Sequence, residues 1–108
     1  MGEFDYAADI RKYTPSVAPA SLAGLVKHLG IALKGKDSAL VACSDKSERD
    51  RIRDHFLKKK LALAHADADL DQAIVDTCKR MAGDQDKQRV TFYYLLAEKY
   101  GKLGAFAK

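Results

Sequence analysis

The chain has 108 residues, of which 47% are hydrophobic and 31% are charged, and its formal net charge at pH 7 is +4. This length predicts a single domain, and this composition is typical of globular proteins and excludes a disordered one. No apolar run approaches the roughly 20 residues of a membrane-spanning helix, and no secretory signal is recognisable. We therefore expect a cytoplasmic protein without a membrane partner.

Two neighbouring segments carry opposite charge. Residues 45–60 contain seven Lys or Arg and four acidic residues, whereas residues 61–76 contain four aspartates and no Lys or Arg. Adjacent segments of opposite sign often pair within one fold, and they can also mark a surface that binds a partner. We favour the pairing, and the partner surface is the alternative.

Three segments before residue 45 have helical character. Residues 5–13 place apolar side chains at i, i+4 and i+7, which predicts a short first helix that ends before Pro15. A second helix is predicted from Ser21, a suitable N-cap residue, because its leucines and its valine form one stripe. The short apolar segment at residues 38–43 is interpreted as a helical turn in preference to a strand.

A long charged helix is predicted after the short segment. Asp45 and Glu48 have capping-box spacing, and the helix that they begin runs to about Lys60. At the α-helical period its apolar seam is narrow and contains only Ile52 and Phe56. Leu57 and Leu61 lie outside this seam, and we expect them to face a second neighbouring element.

The next helix is predicted over residues 67–81. Asp67 is its expected N-cap residue, Leu70 and Ile74 begin its apolar face, and Gly83 closes it. Asp84 or Asp86 is then expected to begin the last helix.

The densest apolar stretch is Val90–Tyr100, which holds four of the nine aromatic residues. Its first five residues favour a strand by composition. Its continuation into Ala-Glu-Lys, with Gly101 as a C′ residue, favours a helix. Apolar residues cover most of the circumference of this helix, which indicates a central helix surrounded by others.

The sequence contains no recognisable metal, cofactor or catalytic motif. The three histidines lack the spacing of a helical zinc site, and the two cysteines form no C-x-x-C pair. Asp67, Asp69 and Asp71 resemble the start of a calcium loop, but Gln72 and Cys78 stand where that loop needs glycine and glutamate. We expect no cofactor and no enzymatic activity.

Cys43 and Cys78 are expected to be free thiols, because two cysteines are too few for a disulfide scaffold and a reducing compartment keeps thiols reduced. Cys43 precedes a predicted helix N-terminus, a position that lowers a thiol pKa, so it is the candidate reactive thiol. Cys78 lies on an apolar helical face and is interpreted as a small core residue.

Two surfaces are candidates for binding a partner. Tyr93, Tyr94 and Tyr100 are the candidate interaction surface, because three tyrosines on one helix need water or a partner for their hydroxyls and a second subunit could cover them. The alternative is a nucleic-acid surface on the charged helix, although Asp50 and Asp54 interrupt it. Its candidate phosphate contacts are Arg49, Arg51, Arg53, Lys58, Lys59 and Lys60.

Five segments of the chain resemble a family of small bacterial proteins known only as a domain of unknown function. These segments, which together span most of the chain, are Tyr6–Tyr13, Val26–Leu33, Cys43–Glu48, Phe56–Leu61 and Tyr93–Leu103. The resemblance implies a compact multihelical fold in a bacterial cytoplasm. It implies no activity and no catalytic residues.

The sequence therefore predicts an all-α protein, a compact array of five to six helices around a buried C-terminal helix. We expect residues 1–4 to be a disordered or vector-derived N-terminus, residues 5–103 to form one helical domain and residues 104–108 to form a C-terminal tail. The predicted function is a non-enzymatic helical interaction module that binds a protein partner or forms a homodimer. Nucleic-acid binding through residues 49–60 is the alternative.

Overall fold

The structure is a computed structural model that describes residues 5–35 and 38–107. The all-α fold is confirmed, since the described residues contain no β-strand. Residues 1–4, with the N-terminus predicted for them, lie outside the described residues. The elements are α1 (Tyr6–Arg11), α2 (Pro19–Leu29), a 3₁₀ turn (Ala32–Lys34), α3 (Lys46–Arg51), a π-helix (Ile52–Lys60), α4 (Asp67–Arg80), α5 (Arg89–Lys99) and a second 3₁₀ turn (Leu103–Phe106).

The central helix is α5, as the sequence predicts, and every residue from Val90 to Ala97 is buried. Thr91 and Leu95 lie opposite the apolar face that the sequence predicts for this helix, yet they are only 0% and 2% exposed. The reason is that α1, α2, α4 and the second 3₁₀ turn all contact α5 and together enclose its circumference. It begins at Arg89, later than either aspartate expected to begin it.

The end of α5 is a Schellman motif at Gly101, the predicted C′ residue. Gly101 has a φ of +68°, which a residue without a Cβ adopts at no steric cost. The Lys102 N–H donates to the Ala97 carbonyl at 2.8 Å, and the Gly101 N–H donates to the Glu98 carbonyl at 3.1 Å. This reversal brings residues 103–106 back onto the helices.

The second 3₁₀ turn packs against α2 at Gly24. A Cβ on Gly24 would lie 1.7 Å from the Phe106 carbonyl oxygen, so only glycine permits this approach. The Ser21 hydroxyl donates to the Leu103 carbonyl at 2.8 Å. Ser21 lies inside α2 and not at the N-cap position predicted for it. Phe106 is 4% exposed. The C-terminal tail expected for residues 104–108 is therefore wrong for residues 104–106.

The charged helix begins as predicted, with the Asp45 carboxylate accepting from the Ser47 N–H at 2.9 Å, but it continues as a π-helix. The Leu61 N–H donates to the Phe56 carbonyl, five residues earlier, at 2.9 Å. A π-helix has about 4.4 residues per turn, so residues 52, 56, 57 and 61 share one face. All four of these apolar residues are at most 2% exposed. The second neighbour expected for Leu57 and Leu61 is wrong because it assumed the α period.

Leu40 forms an isolated antiparallel β-bridge with Gln88, beside the start of α5. The Val41 N–H donates to the Lys87 carbonyl, and the Arg89 N–H donates to the Ala39 carbonyl, both at 2.8 Å. The first N–H groups of a helix have no partner within the helix, and here a neighbouring chain segment supplies one for Arg89. The helical turn predicted for residues 38–43 is therefore wrong.

Asp84 anchors α1 and does not begin the last helix. Its carboxylate accepts from Lys12 Nζ at 2.8 and 2.9 Å and from the Tyr13 hydroxyl. The hydrogen bonds from Lys12 and Tyr13 hold the pKa of Asp84 below its usual value. Burial and the hydrogen bond to Asp84 raise the pKa of Tyr13 to about 12.

The Gly24 contact predicts a packing cost that exceeds the gain in helix propensity. We expect Gly24→Ala to lower the free energy of unfolding by about 1–3 kcal/mol through overpacking, in spite of the roughly 1 kcal/mol by which alanine is favoured over glycine in a helix. Urea denaturation followed by circular dichroism measures it. Gly104→Ala is the matched control, since nothing lies within 4 Å of its Cβ position. A Gly24→Ala variant as stable as the wild type would contradict the described contact.

The Asp84 interactions predict a dependence of stability on acidic pH. Because the folded-state pKa of Asp84 is lowered, its carboxylate stabilises the fold above the unfolded pKa of about 3.9 and this contribution is lost as the pH falls through the folded pKa. We expect the stability difference between wild type and Asp84→Asn to shrink between about pH 6 and pH 3. Urea titrations across this range measure it, with the exposed Asp86→Asn as control. A difference that is constant with pH would contradict the assignment.

Candidate functional site

The π-helix separates the basic residues of the charged segment onto two flanks. At about 80° per residue, Arg53 and Lys58 fall on the flank that faces α4. Arg53 Nη1 lies 3.1 Å from an Asp71 oxygen, and Lys58 Nζ lies 2.6 Å from an Asp67 oxygen. The hydrogen bond from Lys58 lowers the pKa of Asp67. The pairing predicted between the two oppositely charged segments is confirmed for these residues.

Arg49, a predicted phosphate contact, and Asp67, a predicted helix cap, both have a structural role that differs from the predicted one. Arg49 Nη1 donates to the Cys43 carbonyl at 2.5 Å and so holds the chain that enters α3. Asp67 is the first residue of α4, and Ala66 occupies the N-cap position expected for it. Arg49, Arg53 and Lys58 are thus engaged within the chain, and the structure does not bring all six predicted phosphate contacts together.

The opposite flank of the charged helix borders two depressions that share no lining residue, and we call them together the basic groove. Its walls carry Lys27 and His28 from α2 and, across from them, Arg51, His55 and Lys60. Lys59 lies on the same flank and is exposed. Two cavities of about 300 and 370 Å³ lie along the groove. Among the described residues that line them, Glu48 is the single carboxylate.

The buried Phe106 forms the floor of the groove beside Lys60 and His28. The Phe106 ring is 5.4 Å from Lys60 Nζ and 5.8 Å from the ring of His28. Burial, with a smaller contribution from the Lys60 charge, lowers the pKa of His28. His28 is therefore neutral at pH 7, and the lysines and Arg51 supply the charge of the groove.

A buried ion pair between Arg89 and Glu48 closes one end of the groove and engages the carboxylate of Glu48. Arg89 and Glu48 have side chains that are 11% and 8% exposed, and they contact each other directly. Arg89 also donates to the carbonyls of Ser38 and Leu40 at 2.6 and 3.0 Å and to the Tyr93 hydroxyl at 2.9 Å. Glu48 therefore serves Arg89 and does not complete the capping box that the sequence predicts.

Two of the three tyrosines proposed as an interaction surface are buried in the chain. Tyr93 and Tyr94 are 8% and 1% exposed. The Tyr94 hydroxyl accepts from the Ala18 N–H at 2.8 Å, so the chain itself supplies the partner that the sequence assigned to water or to a second subunit. The expectation is wrong for these two residues. Tyr100 is half-buried, with its ring 5.2 Å from that of His65.

The cysteines are joined to each other. Cys43 and Cys78, separated by 35 positions, form a disulfide between the segment that precedes α3 and the helix α4. The free thiols expected for both residues, and the reactive thiol at Cys43, are therefore wrong for this state of the protein. A cavity of about 340 Å³ opens onto the disulfide, and its lining includes Arg49 and Lys79.

The groove residues on α2 escaped the sequence analysis, although a signal for them exists. The chain has no Asp or Glu between Asp9 and Asp37, and Lys27, His28 and Lys34 lie in that interval. A basic surface without acidic neighbours is visible in this pattern, but the partner wall on the π-helix is not. Among the described residues, no group of three His, Cys, Asp or Glu could hold a metal, and no helix is long and apolar enough to cross a membrane.

The disulfide predicts a dependence of stability on redox state. It closes a loop with a sequence separation of 35. We expect its reduction to lower the free energy of unfolding by about 2–4 kcal/mol, because the unfolded chain regains the entropy that the cross-link removes. Thermal unfolding with and without dithiothreitol measures the effect, and the Cys43→Ser/Cys78→Ser variant is the control. A wild-type protein that is indifferent to dithiothreitol would contradict the disulfide.

The comparison with known proteins identifies a family and no activity. No curated protein matches the chain. One family model, described as a protein of unknown function (DUF2853), matches residues 5–104 and so confirms the resemblance to a domain of unknown function. The chain belongs to this DUF2853 family.

Proposed function

We propose that the protein is a non-enzymatic helical interaction module that binds an acidic segment of a partner protein in the basic groove. The observation that carries this proposal is the separation of charge around the π-helix. Arg53 and Lys58 are neutralised by α4, whereas Lys27 and Lys60 face the groove without a carboxylate partner among the described residues. An acidic partner would supply the missing charges, with a gain that is largest in association rate and specificity.

The chemistry of the groove favours a polypeptide over a nucleic acid. Leu29, Ala32 and Tyr93 line the cavity that Arg51 borders. Ile31, which lies between Leu29 and Ala32 in the chain, is 87% exposed and is the single large hydrophobic residue in that state within the described part of the chain. A phosphate backbone has no apolar group to cover it, whereas an acidic amphipathic helix offers both a charged and an apolar face.

The alternative of nucleic-acid binding is reduced to three of its six predicted contacts. Arg51, Lys59 and Lys60 are on the open flank, and the other three are engaged within the chain. The homodimer has lost the support of Tyr93 and Tyr94, although the exposed Asp69 and Asp76 of α4 in a second copy would be one source of acidic residues.

Direct binding measurements test the proposal. The probes are a fluorescent amphipathic peptide rich in Glu and Leu and a short DNA duplex, each titrated at low and moderate salt. We expect the peptide to bind the wild-type protein. Lys60→Glu should lower the affinity for the peptide by about tenfold at low salt and by less at high salt. Ile31→Ser should also lower the affinity for the peptide, because it removes a contact with the apolar face of the peptide. The exposed Lys99→Glu, a reversal of the same charge outside the groove, is the matched control.

Each other outcome would overturn the proposal. Tighter binding of the duplex, with no effect of Ile31→Ser, would assign the groove to nucleic acid. A peptide that binds wild type and both charge variants equally would place the interaction outside the groove. Sedimentation of the protein alone identifies the remaining case, in which a second copy occupies the groove and Lys60→Glu converts a dimer to a monomer.

A further inference from the structure

We propose that the Cys43–Cys78 disulfide is a thiol–disulfide exchange site for small anionic thiols. This inference is independent of the basic groove, because it rests on a different face of the molecule. Both cysteines are only half-buried, and the cavity of about 340 Å³ beside them admits a molecule larger than water. A disulfide that is reached from solvent in this way is open to attack by a thiolate in the folded protein.

The charges at this cavity select the attacking thiol. Arg49 and Lys79 line the cavity together with apolar residues of α4, and no carboxylate lines it. The hydrogen bond to the Cys43 carbonyl fixes Arg49 in place, while Lys79 is exposed and has no bonded partner among the described residues. Two cations beside the sulfurs attract a thiol that carries carboxylates, and they also stabilise the thiolate that leaves the disulfide.

The nearest carboxylates are shared with other cations, and of the two cavity cations only Arg49 interacts with one of them, Asp50. Asp50 and Asp71 lie in a neighbouring depression that shares Arg49 and Val75 with the disulfide cavity. Lys46 Nζ contacts Asp50 at 2.8 Å, and Arg53 Nη1 contacts both Asp50 and Asp71 at 3.1 Å. These aspartates are therefore paired with other cations, and Lys79 faces the disulfide cavity without an acidic neighbour in its lining.

The exchange proceeds in two balanced steps. The thiolate of the small molecule attacks one sulfur of the Cys43–Cys78 bond, a mixed disulfide forms, and the other cysteine leaves as a thiolate near Arg49 and Lys79. A second small thiolate attacks the sulfur of the small molecule in the mixed disulfide. This step releases the remaining cysteine and a disulfide of two small molecules. Two electrons pass from two small thiols to the protein, and the two cysteine thiolates take protons from solvent.

The fold around the disulfide has other attachments that survive its opening. The segment containing Cys43 is held by the hydrogen bond from Val41 to Lys87 and by that from Arg49 to Cys43. Cys78 is part of α4, whose apolar face is buried against the core. The reduced protein therefore keeps the cavity and its two cations, and the exchange is reversible without unfolding.

Rates of reduction by thiols of different charge test the inference. The oxidised full chain is treated separately with glutathione, which is anionic, with neutral 2-mercaptoethanol and with cationic cysteamine, and free cysteines are counted by maleimide labelling and mass spectrometry. We expect Lys79→Glu to slow glutathione most, by about fivefold at low salt, to slow 2-mercaptoethanol less, because its thiolate carries one negative charge, and to slow cysteamine least, because its ammonium offsets the charge of its thiolate. The ratio of variant to wild-type rate for each thiol removes differences in intrinsic reactivity. Lys99→Glu is the matched control.

The remaining outcomes would overturn the inference. Equal slowing of all three thiols by Lys79→Glu would mean that the residue only supports the structure. Rates that match global unfolding, measured by the dependence on urea, would mean that the folded protein does not react. A chain that contains two free thiols after air oxidation would remove the site itself. Conversely, a glutathione adduct on Cys78→Ser that forms with oxidised glutathione and forms more slowly at high salt would support it.

Discussion

The burial of α5 around its whole circumference governs the arrangement of the other elements. No single neighbouring helix can cover such a surface, so α1, α2, α4 and the 3₁₀ turn at residues 103–106 each cover a part of it. The polar groups of α5 that are buried with it need partners. The Thr91 hydroxyl contacts the Asp9 carboxylate, and the Tyr94 hydroxyl contacts the Ala18 N–H. These bonds orient the N-terminal part of the chain on α5.

Arg89 connects this core to the surface that we consider functional. It begins α5, and its guanidinium reaches the carbonyls of Ser38 and Leu40, Tyr93 in the core and Glu48 on α3. A charged group so deeply placed is tolerated because each of its three guanidinium nitrogens donates a hydrogen bond. One consequence is that the groove has an ion pair at one end, where Arg51 also lies 3.6 Å from Glu48, and that Lys27 and Lys60 are left without a carboxylate partner among the described residues. Its electrostatic character therefore depends on a residue whose hydrogen bonds also hold the core.

The parts of this fold that local patterns encode could be predicted from the sequence. The Asp45 cap, the Gly101 turn and the buried α5 depend on neighbours in the chain, and all are found. The missed features depend on distant residues. No local pattern relates Gly24 to Phe106 or Cys43 to Cys78, and the burial of Tyr94 depends on the chain near Ala18.

The π-helix was missed for a different reason. Its four buried residues fit a period of about 4.4 residues, but a search at the α period divides them into two faces. The candidate groove depends on the same period, because it is the π-helix that places Arg51 and Lys60 on one flank and Arg53 and Lys58 on the other. Half of the groove was thus visible as a stretch without acidic residues, and the other half required the geometry.

The contact of Gly24 with Phe106 also determines when the protein can fold during its synthesis. A growing chain presents α2 long before residue 106 exists, so the surface of α2 at Gly24 lacks its Phe106 contact until then. The pairs Ser21–Leu103 and Asp9–Thr91 are each 82 positions apart and impose the same delay. The nascent N-terminal part therefore cannot fold in advance as an independent unit, and its apolar helix face stays accessible to ribosome-associated chaperones until nearly the whole domain has been translated.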